Sequence, residues 1–335
     1  MNYPVLVKIN KIKHQPDISY IFIQDGVITR KSPVNESAVS ILELCNGKNS
    51  IKDIVKTLAK KYSETLEKVE KLVTDFVEYS RQLGVLTILN QPKEKENAVE
   101  ILGSNNQWIP DTIILELTYD CPLNCIHCYL DSREPIYMNF DLLMKIIDEF
   151  KNIGVDNVQL TGGEPLIYPG IKEVIDYLCD NGITVAITTS GFLPPDKLPN
   201  LLPAFDKMSK TNGIVQVSLD GFEANHNYIR RNPGCFKRTI NFIEKVIEQK
   251  VQVHVSTVVT GDSFEELGDL STFLKNKGIK VHRIGYMTDR GRAKSFEKKS
   301  KVEFVEKLMT RIKVKECLWY NNVYRMNKNL ISNGG

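Results

Sequence analysis

The stretch "TIILELTYDCPLNCIHCY" covers residues 112–129 and joins a β-rich run to three closely spaced cysteines. Isoleucine, leucine and threonine side chains fill the run, which favours a strand. Towards the C-terminus, five more runs of this kind alternate with amphipathic helical segments such as "FDLLMKIIDEFKNIG". The strand candidates are residues 113–119, 157–162, 184–190, 213–220, 251–259 and 281–287.

Repeated strand and helix units with right-handed crossovers predict a parallel sheet. Six such units in a row indicate an α/β fold, a partial (β/α)6 TIM-like barrel, which we place at residues 109–315. Chemistry in such folds lies at the C-terminal ends of the strands. The three cysteines follow the first strand directly and are therefore expected at a catalytic position.

The first 90 residues have a different pattern. Three short β-rich runs precede three helical segments, and the third helix is expected at residues 65–83. Ser50 with Asp53 three residues on predicts the start of the second helix. This pattern predicts a small α+β, winged-helix-like domain at residues 1–90, followed by a polar, proline-containing linker at residues 91–108.

Composition excludes several classes of function. The 335 residues are 42% hydrophobic and 25% charged, with a net charge of +3, as in an ordinary soluble globular protein. Without a large basic excess, we expect no nucleic-acid partner. The N-terminus lacks a long apolar run, so we expect no signal peptide, no membrane span and a cytoplasmic location. That compartment is reducing, which disfavours disulfides.

Two kinds of site remain for Cys121, Cys125 and Cys128. Three thiolates on one loop suit three irons of a cubane cluster and leave the fourth iron open. A zinc ion with His127 or a distant residue as fourth ligand is the main alternative. The spacing alone leaves both open.

The end of the second strand favours the cluster. "QLTGGEPL" places Gly162, Gly163 and Glu164 there, where their backbone would lie beside a ligand on the open iron. A structural zinc site gives no reason for this glycine pair and carboxylate. Taken alone, the glycines would indicate only a turn that tolerates positive φ.

The cysteine spacing after strand one, together with "GGEP" after strand two, closely resembles the radical S-adenosylmethionine (SAM) superfamily. The resemblance implies a [4Fe-4S] cluster on Cys121, Cys125 and Cys128, with SAM chelating its unique iron. It also implies that Gly162, Gly163 and Glu164 meet the methionyl amino group of SAM. In such enzymes an electron from flavodoxin or ferredoxin cleaves SAM, and a 5′-deoxyadenosyl radical removes hydrogen from the substrate.

Further residues are similar to the superfamily's SAM contacts. Ser190 ends strand three, Ser218 and Asp220 end strand four, and Tyr129 follows the last cysteine and is expected on the adenine side. Arg230 in "HNYIRRNPG" matches an arginine expected near the SAM carboxylate. Each of these residues has a plain structural alternative as a cap, turn, core or surface residue.

Three neighbouring residues complicate this assignment. Arg231 stands where relatives usually carry glycine, and Arg238 competes with Arg230 for the SAM carboxylate. His127 is interpreted as packing within the cysteine loop. Two cysteines elsewhere, Cys45 and Cys179, are interpreted as small buried hydrophobic residues.

The N-terminal domain resembles the peptide-binding domain of pyrroloquinoline-quinone biosynthesis (PqqD-like), the recognition element of ribosomal peptide maturation. The resemblance implies that a precursor's leader peptide adds as a strand to an exposed edge beside the third helix. The edge residues would be Val27, Ile28, Thr29, Arg30 and Lys31. A small dimerisation or packing domain is the structural alternative.

Together these features predict a radical SAM peptide maturase that forms a thioether or other cross-link in a ribosomal precursor. The alternatives are a leader-binding adaptor with an incomplete catalytic half, and an enzyme acting on a small molecule such as a tetrapyrrole. Residues 316–335, with Cys317, resemble the opening of a SPASM or twitch region without its other cluster ligands. We expect this segment to be the start of a truncated extension.

Overall fold

The computed structural model describes residues 2–25, 28–94, 98–130, 134–260, 265–286 and 291–295. It divides into two compact units. The first comprises Met1–Asp111 with Lys145–Asp156, and the second comprises Thr112–Met144 with Asn157–Gly335. The predicted extension at residues 316–335, including Cys317, lies outside the described residues.

Within its described residues, the first unit contains two small sheets, three complete helices and part of a fourth helix at residues 145–153. Its strands β1 to β6 are Tyr3–Leu6, Ile9–His14, Ser19–Asp25, Ile28–Val34, Leu86–Leu89 and Glu100–Gly103. Its helices α1 to α3 are Glu36–Leu44, Ile51–Tyr62 and Leu66–Gln82. The strand order is β4-β3-β2-β6 in the larger sheet, while β1 pairs with β5.

The helices begin where the sequence predicts them. The Ser50 hydroxyl accepts the Asp53 N–H and the Asp53 carboxylate accepts the Ser50 N–H, which forms the predicted capping box of α2. Thr65 caps α3 in the same way through Lys68 N–H. Apolar side chains from the sheet and all three helices form the core, including Ile9, Ile12, Leu42, Ile54, Val73 and Val77.

One strand differs from the sequence expectation. Residues 91–108 were expected to form a linker, but β6 lies within them and pairs in parallel with β2. The pairing joins Ile12 to Ile101, residues that are distant in sequence. A four-residue strand of this kind depends on its non-local partner, so its local sequence carries little signal.

Strand β4 forms one edge of the larger sheet, with β3 as its only paired strand among the described residues. Gln24 of β3 donates its backbone N–H to the carbonyl oxygen of Lys8, which lies on the side of β2. Gln24 pairs with Thr29 of β4, and the backbone N–H and C=O of Thr29 therefore point away from β3, towards the free edge. By the same alternation, Lys31 and Pro33 also face that edge. Proline suits this position because it has no N–H to offer the ladder.

The side chain of Lys31 is part of an ion cluster within the first unit. Its ammonium group donates to Asp111 at 2.6 Å and lies 4.2 Å from the centre of the Tyr20 ring. Lys13, which is fully buried, binds Asp111 and Asp156 at 3.2 and 3.0 Å. Burial raises the pKa of Asp111, but the hydrogen bonds from Lys31 and Lys13 outweigh it and lower the pKa overall. A buried lysine is tolerated here because it is paired.

The second unit contains the predicted six-stranded parallel sheet. Its strands β7 to β12 are Thr112–Thr118, Asn157–Gly162, Thr184–Thr189, Ile214–Ser218, Gln252–Val259 and Val281–Tyr286. The helices that follow these strands in the chain, α4 to α9, are Phe140–Ile153, Ile171–Asp180, Lys197–Lys210, Glu223–Arg230, Cys235–Glu248 and Leu267–Asn276. Residues 145–153 of α4 belong to the first unit. The strands are adjacent in chain order and every pair is parallel, which confirms the predicted α/β barrel topology.

The strands of this sheet alternate in burial. In β10, Val215 and Val217 are fully buried, whereas Gln216 and Ser218 between them are only partly buried. Strands β8, β9 and β11 repeat the pattern. One face of the sheet is therefore packed against helices, and the other presents polar side chains to an internal cavity.

No helix in the described part of the chain is long and apolar enough to cross a membrane.

Candidate active site

The three cysteines lie on the loop that follows β7 and line one cavity of 370 Å³. Polar residues from the ends of the next four strands line the same cavity, among them Thr161, Thr188, Ser190, Gln216, Ser218 and Ser256. This volume is within the usual range for small-ligand sites. The cavity lies at the C-terminal ends of the strands, as predicted for the cysteines.

The glycine pair at the end of β8 is required by close backbone packing. A Cβ on Gly162 would lie 2.3 Å from the Thr118 carbonyl oxygen, and its φ of +129° disfavours other residues. A Cβ on Gly163 would lie 2.2 Å from the Asp120 carbonyl oxygen. Both glycines also line the cavity. The pair therefore lets the end of β8 lie against the loop that carries the cysteines.

Glu164 is fully buried, and its carboxylate accepts four hydrogen bonds from the chain. Oε1 accepts from the Thr189 hydroxyl at 2.6 Å and from Leu166 N–H at 3.2 Å. Oε2 accepts from the Ser190 N–H at 2.9 Å and its hydroxyl at 2.6 Å. Burial raises the pKa of Glu164 despite these bonds. Glu164 thus fixes two hydroxyls that line the cavity, Thr189 and Ser190.

Asp220 connects three parts of the second unit. Its buried carboxylate bonds to His127 Nε2 at 3.0 Å and to Arg230 Nη2 at 2.7 Å through one oxygen, and accepts Val258 N–H at 3.0 Å through the other. Burial alone raises the pKa of Asp220, but the charges of Arg230 and His127 outweigh it and hold the pKa well below its usual range. The cavity wall therefore contains a carboxylate that is ionised near neutral pH.

His226 lies behind Asp220, away from the cavity lining. Its Nδ1 accepts the Asp220 backbone N–H at 3.1 Å. Burial and the charge of Arg230 lower the pKa of His226 to about 3. The ring is therefore neutral near pH 7, and it holds the Asp220 backbone in place.

Tyr129 also lines the cavity. Its hydroxyl donates to Glu116 at 3.0 Å and lies 3.3 Å from the Gly162 carbonyl oxygen. Burial and the Glu116 hydrogen bond raise the pKa of Tyr129 above its ordinary value. Tyr129 is 46% exposed, so part of the residue is accessible to a ligand.

Arg238 and Arg231, the two other arginines considered for this site, lie in different positions from Arg230. Arg238 lies over the Phe192 ring at 4.6 Å and is absent from the cavity lining, whereas Arg230 lines the cavity. Arg231 ends α7 with a φ of +53°. This left-handed conformation suits glycine, and it accounts for the glycine that relatives were expected to carry at this position.

The comparisons with known proteins agree with this geometry. Residues 115–274 match the sequence model of the Radical SAM superfamily. This part of the chain is a radical SAM domain. Residues 32–86 match the model for coenzyme PQQ synthesis protein D (PqqD).

Two curated relatives cover this chain to different extents. The subtilosin biosynthesis protein AlbA of Bacillus subtilis (strain 168) is 25% identical over 78% of this chain and 58% of its own length. The AdoMet-dependent heme synthase of Methanosarcina barkeri (strain Fusaro / DSM 804) is 29% identical over 58% of this chain and 56% of its own length. The chain thus spans just over half the length of these relatives.

The fold also resembles a solved structure. Streptococcus suis SuiB, determined with bound S-adenosylmethionine, aligns with a TM-score of 0.61 and 15% identity, over 92% of this chain and 71% of that chain. At this identity the likeness establishes the fold alone.

A [4Fe-4S] cluster and SAM are the cofactors of the radical SAM domain, and the residues present fit them. All three cysteines line the cavity, yet no three His, Cys, Asp or Glu side chains in the described residues are grouped as a single-ion site. A multi-iron cluster spaces its ligands more widely than one ion does. Burial raises the pKa of Cys121 to about 12, a cost that metal coordination removes by deprotonating the thiol.

Sequence reasoning missed Arg292, which follows the last strand of the radical SAM domain. Its Nε donates to the Cys125 carbonyl oxygen at 2.9 Å and its backbone N–H donates to the Cys128 carbonyl oxygen at 3.0 Å. The preceding Gly291 packs so closely that a Cβ would lie 2.3 Å from the Cys128 oxygen. The short run "GRAK" at the C-terminal end of strand six was the available signal.

The other cysteines of the described chain are buried. Cys45 and Cys179 are 1% and 6% exposed, which confirms their interpretation as small hydrophobic residues. Cys235, which the sequence did not single out, packs with Cys125, Leu123 and Phe192. Burial raises its pKa to about 11, as expected for an unreactive thiol.

Proposed function

We propose that this protein is a radical SAM peptide maturase that binds a ribosomal precursor through its leader and forms a thioether or another cross-link in it. The observation that carries the proposal is the presence, in one chain, of a PqqD-like segment and a radical SAM domain with a three-cysteine cavity. When bound, the cluster and SAM supply the electron and the 5′-deoxyadenosyl radical that removes hydrogen from the substrate.

In this proposal Cys121, Cys125 and Cys128 hold the cluster, and the SAM methionyl group lies along Gly162 and Gly163. Both glycines line the cavity without side chains, so the backbone can approach a ligand closely. Glu164 was expected to bind the amino group directly, but its four acceptor sites are already used within the chain. It acts on SAM by orienting the hydroxyls of Thr189 and Ser190.

The remaining polar residues would hold the rest of SAM. Ser218 and Asp220 meet the ribose or the methionyl end, and Tyr129 covers the adenine side. Arg230 lies within reach of the carboxylate because it lines the same cavity. Arg292 joins this set as a residue that fixes the carbonyl groups of the cysteine loop.

The leader would bind to the free edge of β4. Thr29 and Lys31 offer backbone groups there, and Ile28 and Arg30 belong to the same strand. Val27, also part of the predicted edge, lies outside the described residues. The placement of this edge beside α3 stays a prediction. A flavodoxin or ferredoxin in the cytoplasm would supply the electron.

Reductive SAM cleavage provides the first test. The full chain is reconstituted anaerobically with iron and sulfide, reduced with dithionite, and assayed for 5′-deoxyadenosine. We expect product from the wild type and none from Cys125→Ser, with Cys179→Ser matching the wild type because Cys179 lies in helix α5 outside the cavity. No product from a wild type with a full iron content would contradict the enzyme proposal.

Peptide binding provides the second test. Synthetic leader peptides from short open reading frames next to the gene are titrated into the full chain, with scrambled peptides as controls. We expect one leader to bind and to undergo a mass change when SAM and reductant are added. Binding without a mass change would favour the adaptor alternative.

A small-molecule substrate is the second candidate function. The similarity to an AdoMet-dependent heme synthase favours it. Incubation with a porphyrin precursor of heme, under the same reducing conditions, separates the two. Porphyrin modification without any leader binding would replace the peptide proposal.

A further inference from the structure

Arg230 makes its contacts inside the second unit with both ends of its guanidinium group. It ends α7 and is 7% exposed. One terminal nitrogen, Nη2, binds the Asp220 carboxylate at 2.7 Å, and the other, Nη1, lies 3.6 Å from the Cys125 sulfur. The guanidinium thus bridges a buried carboxylate and one of the three proposed cluster ligands.

The geometry around Asp220 holds this bridge in place. Asp220 is fully buried, and its second oxygen accepts Val258 N–H. The guanidinium plane is rigid, so fixing Nη2 on Asp220 also fixes the direction of Nη1. Asp220 therefore determines where the positive charge of Arg230 lies.

The cysteine loop is tied to the same helix end. Ile126 N–H donates to the carbonyl oxygen of Ile229 at 2.9 Å, and His127 binds Asp220. Ile126 directly follows Cys125 in the sequence, and Ile229 directly precedes Arg230. The distance between the Cys125 sulfur and the guanidinium is consequently set by the fold.

We propose that Arg230 is a positioning residue that raises the reduction potential of the bound cluster through its hydrogen bond to the Cys125 sulfur, with Asp220 aiming it; this rests on the proposed cluster ligands. Reduction adds negative charge to the cluster, so a donor and positive charge at a ligand sulfur stabilise the reduced state. The effect is strong because the site is buried.

Redox titration followed by electron paramagnetic resonance tests the proposal without SAM, which separates it from any role of Arg230 in SAM binding. We expect Arg230→Gln to lower the equilibrium constant for reduction of the cluster by about tenfold. This corresponds to a decrease of about 59 mV in the reduction potential of a one-electron couple. Arg230→Lys keeps the charge but cannot bond to both partners, so we expect a smaller decrease. Arg238→Gln, which removes an arginine outside the cavity, is the matched control and should leave the potential unchanged.

Iron and sulfide contents are compared first, so that only variants with the cluster content of the wild type are titrated. Equal potentials for the wild type, Arg230→Gln and Arg230→Lys would overturn the inference. A wild type that binds no cluster would overturn the proposed function as well.

A second measurement detects the contact directly in the wild type and assigns it by comparison with two variants. The protein is labelled with ¹⁵N-arginine, and the reduced cluster is examined by pulsed paramagnetic resonance for weakly coupled ¹⁵N. We expect a coupling that is absent from the labelled Arg230→Lys protein and present in labelled Arg238→Gln. A wild type without any arginine coupling would contradict the hydrogen bond.

Discussion

At the scale of single residues, the cavity is built from contacts between positions far apart in the chain. His127 binds Asp220, which is 93 positions away, and Arg292 binds Cys125 across 167 positions. Backbone space matters as much as these bonds, since the two glycines at the end of β8 have no room for a Cβ. The cysteine loop therefore depends on several strand ends at once.

Gly163 provides a residue-scale prediction. We expect Gly163→Ala to displace the cysteine loop, because the new Cβ would meet the Asp120 and Tyr119 carbonyl oxygens at 2.2 and 2.7 Å. Iron content after anaerobic reconstitution should fall several-fold. Gly268→Ala, where nothing lies within 4 Å, is the control and should retain full iron content. An equal iron content in both variants would contradict this role.

The sequence predicted which residues belong to the candidate site, but it did not predict the contacts between them. Three cysteines and "GGE" were recognisable because their spacing is local. The link between His127 and Asp220 was not, because it depends on how strand β10 lies beside the loop after β7. Arg292 was missed because its bond to Cys125 in the cysteine loop spans 167 positions and has no local signature.

At the scale of elements, strands β11 and β12 are joined to α9 by His282. Its Nε2 lies 2.7 Å from the Thr257 hydroxyl oxygen and its Nδ1 lies 2.9 Å from that of Ser271. Burial lowers the pKa of His282 to about 4. The neutral ring therefore contributes to packing of the last two strands.

This pKa predicts a pH-dependent stability. The folded-state pKa lies below the ordinary value of about 6.5, so the unfolded chain takes up the proton first as the pH falls. His282 makes its full contribution to the free energy of unfolding above about pH 6.5. The contribution is lost as the pH falls towards 4, and at pH 5 the free energy of unfolding is lower by about 2 kcal/mol. We expect the free energy of unfolding, measured with urea, to decrease more between pH 7 and pH 5 in the wild type than in His282→Gln. The same pH dependence in both would contradict the assignment.

The edge of β4 gives another element-scale prediction. The backbone N–H of Thr29 points away from β3. Thr29→Pro therefore removes a donor from the free edge without removing a hydrogen bond between β3 and β4. We expect leader affinity to fall several-fold with little change in thermal stability. Thr29→Ala keeps the N–H and serves as the control. Unchanged binding by the proline variant would place the leader elsewhere.

Most elements followed from local pattern, and the exceptions have physical causes. Strands β7 to β12 and helices α1 to α3 carry clear periodicity and caps. The first β-rich run of the chain, "YPVLVKI" at residues 3–9, is divided between β1 and the start of β2. The division arises because Val7 and Lys8 both donate to the Val85 carbonyl oxygen, a non-local contact without a local signature.

At the scale of the whole molecule, the two compact units carry different parts of the proposed function. The β4 edge belongs to the first unit, and the cavity with its three cysteines belongs to the second. Their cores are formed by separate sets of apolar residues, with Ile54 and Val77 in the first and Val215 and Phe242 in the second. Ligands of each unit should therefore act on different segments.

Hydrogen exchange followed by mass spectrometry tests this division in the reconstituted full chain. We expect SAM to slow exchange in peptides from residues 157–192 and 214–230, and a leader peptide to slow it in residues 28–34. Ligand binding stabilises the segments that it contacts. Protection of β4 by SAM alone would contradict the assignment of separate sites.

The proline at the free edge of β4 has a consequence for the catalytic cycle. Pro33 offers a carbonyl oxygen but no N–H, so only Thr29 and Lys31 present donors along the described part of this edge. So short a ladder holds a strand by few main-chain bonds. We expect a modified peptide to dissociate readily, which would let one enzyme molecule process many precursors in succession.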